Sequence, residues 1–246
     1  MFMNSVHQGA NAFAFSNRII TAESHRLSRA SGTSRIEHCT LTQVHLDCTN
    51  AVNAGSLITV DSSRLSDCTL QTTGALAIAH GHMQRCRLSV EGLLRITASH
   101  LRCCYLRLQP GSGLIVEDND CDVLNIDGTG GFSHTFTLQG LFTRSRFKGL
   151  LIAGGQLQAI FYRTLWRDTL VRHSVLNHSL FNRCVLDDLR FHDCSFSGST
   201  FSHCETGQKP LVFERCDLRG CRFIQIHPRQ CRFIDCRGIS AASFTL

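Results

Sequence analysis

Large apolar side chains recur every five residues through much of the C-terminal half of this 246-residue chain. In one unbroken register stand Phe161, Trp166, Val171, Leu176, Phe181, Leu186, Phe191, Phe196 and Phe201. Two positions before each comes Ala159, Thr164, Thr169, Ser174, Ser179, Cys184, Leu189, Cys194 or Ser199, all small except Leu189. An α-helix returns to the same face every 3.6 residues and a strand every second residue, so a sustained period of five fits neither. A chain that turns a corner every five residues does fit. The large and the small side chain, separated by one outward residue, then both enter a narrow tube, and twenty residues close one coil of four walls.

The register shifts but does not end. After an interruption at residues 205–210, Phe213, Leu218, Phe223 and Phe233 continue it, preceded by Leu211, Cys216, Cys221 and Cys231. The displacement of two predicts a bulge loop on a continuing tube. Upstream, Phe132, Phe142, Phe147, Ile152 and Leu157 form another register, with Thr137 its weak member and Gly130, Gly140, Ser145, Leu150 and Gly155 two residues ahead. Segments such as CVLDD (184–188), CSFSG (194–198), CDLRG (216–220) and CRFID (231–235) resemble the pentapeptide-repeat family. That resemblance implies a right-handed quadrilateral β-helix.

The first half repeats differently. Units opening at Gly55, Gly74, Gly92 and Gly111 are spaced 19, 18 and 19 residues apart. Each begins with Gly, alternates apolar residues (Leu57, Ile58 and Val60; Leu76 and Ile78; Leu94 and Ile96), and closes on a five-spaced pair such as Leu65 and Leu70. The expectation is an all-β parallel solenoid over 35–246, with irregular coils at 35–131, pentapeptide-like coils at 132–238 and a terminal cap at 239–246. Residues 1–34 read as a polar leader, either disordered or a capping helix, and resemble the polar, Ser-rich, uncleaved leader that precedes the β-helix in secreted pentapeptide-repeat effectors, which implies a secretion signal. No basic start followed by an apolar stretch marks a cleavable export signal, and no apolar run approaches the roughly 18 residues needed to span a bilayer.

Fourteen Cys include no C-x-x-C pair, which removes the usual zinc-ribbon and redox signatures. Cys184 and Cys204, and likewise Cys216 and Cys236, lie one coil apart, and Cys is a small hydrophobe suited to inward positions. The thiols are read as reduced core filling, with no cofactor implied. Outward His and inward Cys, for example His192, Cys194, His203 and Cys204, are not expected to converge on a metal.

Two charged features carry the functional expectations. The acidic run Glu117, Asp118, Asp120, Asp122 and Asp127 places alternate carboxylates on one outer face, making Asp118, Asp120 and Asp122 weak cation-ligand candidates. It lacks the Gly and Glu positions of an EF-hand. Between Gly140 and Arg183, Arg144, Arg146, Lys148, Arg163, Arg167, Arg172 and Arg183 are opposed by Asp168 alone, in a chain of net charge +6 that has 25 basic residues. Of these only Lys148 and Lys209 are Lys, which favours planar bidentate contacts. The patch is a candidate footprint for a protein partner, a membrane surface or nucleic acid.

The leading expectation is a non-catalytic scaffold that binds a protein partner, resembling those pentapeptide-repeat relatives that are bacterial effectors delivered to host cells. It places the chain in a bacterial cytoplasm or, without a cleaved signal, inside a host. Homodimerisation through an exposed end coil is a further expectation. One alternative is a calcium-dependent polysaccharide lyase or hydrolase, using Asp118, Asp120 and Asp122 with Arg95 or Arg144. Another is topoisomerase protection, which the basic charge opposes because those relatives carry acidic surfaces.

Overall fold

The computed structural model describes residues 14–26, 33–49, 57–109, 112–127, 137–149, 151–153 and 156–246. Every strand pairing in it is parallel and joins one coil to the next. Among the described residues twelve short strands stack into the first face, from Ala14–Ser16 and Thr33–Glu37 through Leu57–Asp61, Ala75–Ala79 and Leu93–Thr97 to Arg222–Ile224 and Phe244–Thr245. Along it the partners step by coil: Leu76 pairs with Leu94, Phe161 with Phe181, and Phe181 with Phe201. At the ~4.8 Å spacing of neighbouring strands, twelve layers make a rod roughly 50 Å long.

A second face and a third face share one sheet because four strands, His100–Leu108, Asp120–Asp127, Leu165–Arg172 and Val185–His192, run on through the corner between them. The fourth face is carried in the C-terminal half by a ladder of single bridges, Val175 to Ser195 to Asp217 to Arg237. In the Gly-led units only two residues, Thr73 and Gly74, separate the third-face strand Thr69–Thr72 from the next first-face strand. That shortening accounts for the 18-residue step there, against 20 where all four faces are complete.

Corners recur with the same backbone signature. Asn17, His38, Ser62, His80, Ala98, Asp118, Arg144, Arg163, Arg183, His203 and Gln225 all have φ near +50° at the corner after the first face. Left-handed conformation is tolerated best by Gly, Asn and Asp. Val123, at the corner between the second and third faces, has φ +56° and leaves a β-branched side chain 51% exposed. Branching at Cβ makes this conformation unusually costly. Val123→Asn is therefore expected to stabilise the fold by about 1 kcal/mol, read as a higher Tm in thermal melts; an unchanged or lower Tm would refute the corner argument.

The inside is filled by side chains sorted by size. Phe181, Phe191 and Phe201 are fully buried, as the five-residue period requires. Along the first face, Phe142, Phe161, Phe181, Phe201, Phe223 and Phe244 stack ring over ring, with successive centroids 4.7, 4.5, 4.4, 5.2 and 4.9 Å apart. Phe191, Phe213 and Phe233 form a second stack on the third face, at 5.2 and 5.4 Å. In the N-terminal half Ile36, Val60, Ile78, Ile96 and Val116 take the equivalent inward places. Buried Cys thiols donate to carbonyls of the preceding coil, for instance Cys184 to Phe161 at 3.3 Å and Cys204 to Phe181 at 3.4 Å. Burial pushes the Cys221 thiol up to about 12, so it stays protonated, as core filling should.

Three boundaries differ from the sequence reading. Among the described residues strands begin at Ala14, inside residues 1–34. Phe15 and Ile20, themselves five apart, are buried, and Ile19–Thr21 pairs with Thr40–Thr42. Over 14–26 the expected leader or capping helix is thus the first coil, while 1–13 lie outside the described residues. The bulge is also narrower than 205–210. Glu205–Thr206 still pairs with Val185 and Leu186, and the register then jumps so that Arg190 faces Val212. The two extra residues are therefore taken up in the turn at 207–210. At the far end, 239–246 contributes a 3-10 turn, Ala241–Ser243, and one more first-face strand. Leu246 is exposed, and Phe233 and Phe244 are only partly buried. Phe132, Gly130, Leu150 and Gly155 lie outside the described residues, and Ile152 falls in a strand whose side chains are not described.

Asp217 joins two coils on the fourth face. Its carboxylate, 9% exposed, accepts from Arg219 at 2.7 Å and from Arg237, one coil on, at 2.9 Å. The two guanidiniums, that of Arg219 foremost, hold it at about 2, below the ordinary carboxylate value of 3.8. A lowered folded value means stability that is fully present above pH ~4 and lost as pH falls toward 2. Asp217→Asn is expected to flatten this acid limb of the Tm–pH curve and lower Tm at neutral pH. An unchanged acid limb would mean that the pairing does not contribute.

Candidate functional site: an aliphatic column beside an arginine corner

Outward positions on the first face should be polar, yet four consecutive coils place an aliphatic there in register: Ile115 beside Leu141, Leu141 beside Ile160, Ile160 beside Leu180. Ile160 is 48% exposed and Leu141 38%, and Leu93 adds to the lower end. Arg95 continues the column below and, beyond Thr200, Arg222 above. The column floors an open groove of about 560 Å³ that reaches Gln158 and His178 on one side. Gly140 cannot carry a side chain here, since a Cβ would sit 2.7 Å from the Phe142 ring.

Three residues further along each coil is the corner after the first face, where Arg144, Arg163 and Arg183 stack one coil apart. Among the described residues Arg163 and Arg183 have no carboxylate within 4 Å; Arg163 lies instead over the Tyr162 ring at 5.2 Å. Their charges are therefore offered outward.

The structure separates the seven predicted basic residues. Arg144 is clamped one coil down by Asp118 at 2.7 and 2.8 Å and by Glu117 at 2.6 Å. This pairing holds Asp118 below the ordinary carboxylate value and Arg144 above its own. Arg146 faces Asp120 at 3.9 Å, and Arg167 faces Asp187 at 3.4 Å. Lys148 shares the outer column of the second face with Asp122 and Arg167. Arg172 lies on the third face, paired with His192, away from the other six. Six of the seven thus surround one corner and the face that follows it.

The acidic run is explained by the same pairing. Asp118 is held by Arg144, Asp120 faces Arg146, and Asp122 stands between Arg102 at 3.9 Å and Lys148 in register. These carboxylates belong to a cross-coil charge ladder, which leaves no open oxygen cage for a cation. Arg95, offered as a lyase base, is on the first face, in register with Ile115. Cys194 and Cys204 point inward while His203 is exposed, so that set does not converge on a metal.

The sequence reading does not include the aliphatic column, because the five-residue period marks only the inward ring. Its signal is the residue immediately before that ring: Ile115 before Val116, Leu141 before Phe142, Ile160 before Phe161, Leu180 before Phe181.

Parallel coils of mostly 18 to 22 residues, four faces in the C-terminal half and left-handed residues recurring at the corners define the architecture. The fold is that of pentapeptide-repeat proteins. No family model matches the sequence, and no curated protein matches it. Among solved structures, the solenoid is similar to HetL, a pentapeptide repeat protein involved in heterocyst differentiation regulation from the cyanobacterium Nostoc, at 13% identity over 90% of this chain and 87% of that one, with a TM-score of 0.27. It is also similar to full-length QnrB1, a plasmid-mediated fluoroquinolone resistance protein, at 10% identity over 91% and 92% of the two chains, with a TM-score of 0.27. At those scores neither likeness bears on what this solenoid does; its fold stands on its own strand register. Among the described residues no helix is long and apolar enough to cross a membrane.

Proposed function

We propose that this solenoid is a non-catalytic scaffold that binds a protein partner along the first face and its arginine corner. The supporting observation is the in-register column Ile115, Leu141, Ile160 and Leu180, an apolar ribbon on a face that solvent would otherwise keep polar. Beside it, Arg163 and Arg183 favour a partner segment with aliphatic side chains on one edge and carboxylates on the other. An apolar ribbon favours a protein over nucleic acid, whose phosphates would reward charge alone. Residues 14–26 of the polar leader that suggested a host-delivered effector form a coil, which removes part of the support for that reading. The charge ladder through Asp118, Asp120 and Asp122 removes the main support for a lyase.

The test is capture by the intact chain from bacterial and host-cell lysates, compared between wild type, Ile160→Asp/Leu180→Asp and Arg163→Glu/Arg183→Glu. A specific protein recovered by wild type is expected to be lost with both variants, while their melting profiles stay within a few degrees of wild type. Equal recovery by all three would end the proposal.

A further inference from the structure

At the corner between the third and fourth faces the outward residues stack as His173, Asp193, Arg215 and Asp235, each with φ near +50°. His192, immediately before Asp193, turns its ring to the same point. The ligand atoms of His173, His192 and Asp193 all lie within 4.8 Å of one another. His173 Nδ1 is 3.5 Å and His192 Nδ1 3.0 Å from the same oxygen, Asp193 Oδ2. We propose that these three side chains bind a zinc-type divalent transition-metal ion.

The distances carry the argument. Zinc takes nitrogen and oxygen ligands at about 2.0–2.2 Å in a tetrahedron, which sets neighbouring ligand atoms roughly 3.4 Å apart. The two separations from Asp193 Oδ2 bracket that value, and the third pair, His173 to His192, lies within 4.8 Å, inside the reach of side-chain rotation. Nor is the backbone free to drift: His173 N donates to His192 O and Asp193 N to Glu214 O, both at 3.0 Å, so coil stacking fixes the ligand spacing. Two imidazoles and a carboxylate suit zinc, whereas calcium and magnesium prefer all-oxygen sets. His173 and Asp193 line a surface depression of about 720 Å³, which gives solvent access to the cluster.

Arg215 is the built-in competitor. It holds both Asp193 oxygens at 2.7 Å, and its Nη2 donates to His192 Nε2 at 2.8 Å. That last bond needs a bare Nε2, which puts the ring proton on Nδ1, the atom a metal requires. Metal binding therefore demands the other tautomer, with Nε2–H turned toward Glu214 Oε1, now 3.8 Å away. A carboxylate accepting from the distal ring nitrogen is the usual partner of a metal-bound His. The Arg215 side chain is half-exposed and can swing into solvent, so zinc and Arg215 occupy the site alternately.

The experiment is calorimetric titration of the full chain with zinc chloride, in a Cys103→Ser background because Cys103 is the exposed thiol. One ion per chain is expected. His173→Ala and His192→Ala should each weaken binding about tenfold or more, and Arg215→Gln should strengthen it several-fold. All three positions point outward, so the variants should melt like the parent. Cobalt substitution gives the second readout: ligand-field absorption without thiolate-to-cobalt charge transfer. No stoichiometric uptake, uptake surviving the His173→Ala/His192→Ala pair, weaker binding in Arg215→Gln, or a thiolate charge-transfer band would each overturn the proposal.

Discussion

Phe191→Asp is expected to leave no folded protein: no cooperative melt, no sheet signal by circular dichroism, and material found in aggregates. Phe191 is fully buried, stacked on Phe213 at 5.2 Å and edge-on to Phe196 at 4.7 Å, with Phe181 and Phe201 completing the shell. Truncating a core Phe to Ala already costs about 3–5 kcal/mol. An uncompensated carboxylate among four aromatic rings adds a desolvation penalty of several more. A domain's whole stability is typically about 5–15 kcal/mol. In a solenoid the damage also propagates, because each coil is stable only through its neighbours and this one lies between two well-packed stacks. Phe191→Leu serves as the control, expected to fold with a lowered Tm. A folded Phe191→Asp protein with a near-native melt would place that ring outside the tube and undo the coil assignment.

How far the sequence reveals the fold depends on which direction an interaction runs. Inward side chains repeat along the chain, so the Phe and Cys registers, the shift after Thr206 and the Gly-led units are visible by inspection. Contacts across coils are not, because they join residues about twenty or more positions apart. The local count that left Arg144, Arg146 and Arg167 opposed by Asp168 alone failed for this reason. Their carboxylates are Asp118, Asp120 and Asp187, each one coil away. The His173, His192 and Asp193 cluster was hidden in the same way, since the His rings meet only once the coils stack. The first coil escaped notice because Phe15 and Ile20 are a single five-spaced pair amid polar residues, too short a run to show a period. The aliphatic column was legible but unread, as four apolar residues preceding inward rings look like ordinary strand residues until their exposure is known.

Gly92→Ala is expected to destabilise the irregular half strongly, although Gly92 sits at a surface turn where Ala would ordinarily be harmless. The Gly-led units save one or two residues by cutting the fourth face short, which brings the turns of successive coils into backbone contact. A Cβ on Gly92 would stand 2.6 Å from the Gly74 carbonyl oxygen, 2.8 Å from its carbonyl carbon and 3.1 Å from Ala75 N. All three are backbone atoms, and both flanking strands are locked in register: Leu76 to Leu94 on the first face and Leu88 to Leu70 on the third. No side chain can rotate away, so relief requires prising two coils apart. Overpacking of this kind typically costs about 1–3 kcal/mol, and a clash against fixed backbone belongs at the top of that range. Gly207→Ala is the matched comparison. There the Cβ would meet the Asp187 carboxylate at 2.1 Å and Asp187 Cβ at 2.8 Å; a rotamer change clears the first, and the exposed turn at 207–210 can shift by a few tenths of an ångström to relieve the second. Thermal melts should show Gly92→Ala several degrees below wild type and Gly207→Ala close to it, and hydrogen exchange should localise the loss to coils on either side of residues 74–92. Equal melts for the two variants would mean that the coils tolerate wider spacing than their strand pairing allows. The 18-residue step would then need a cause other than the missing side chain.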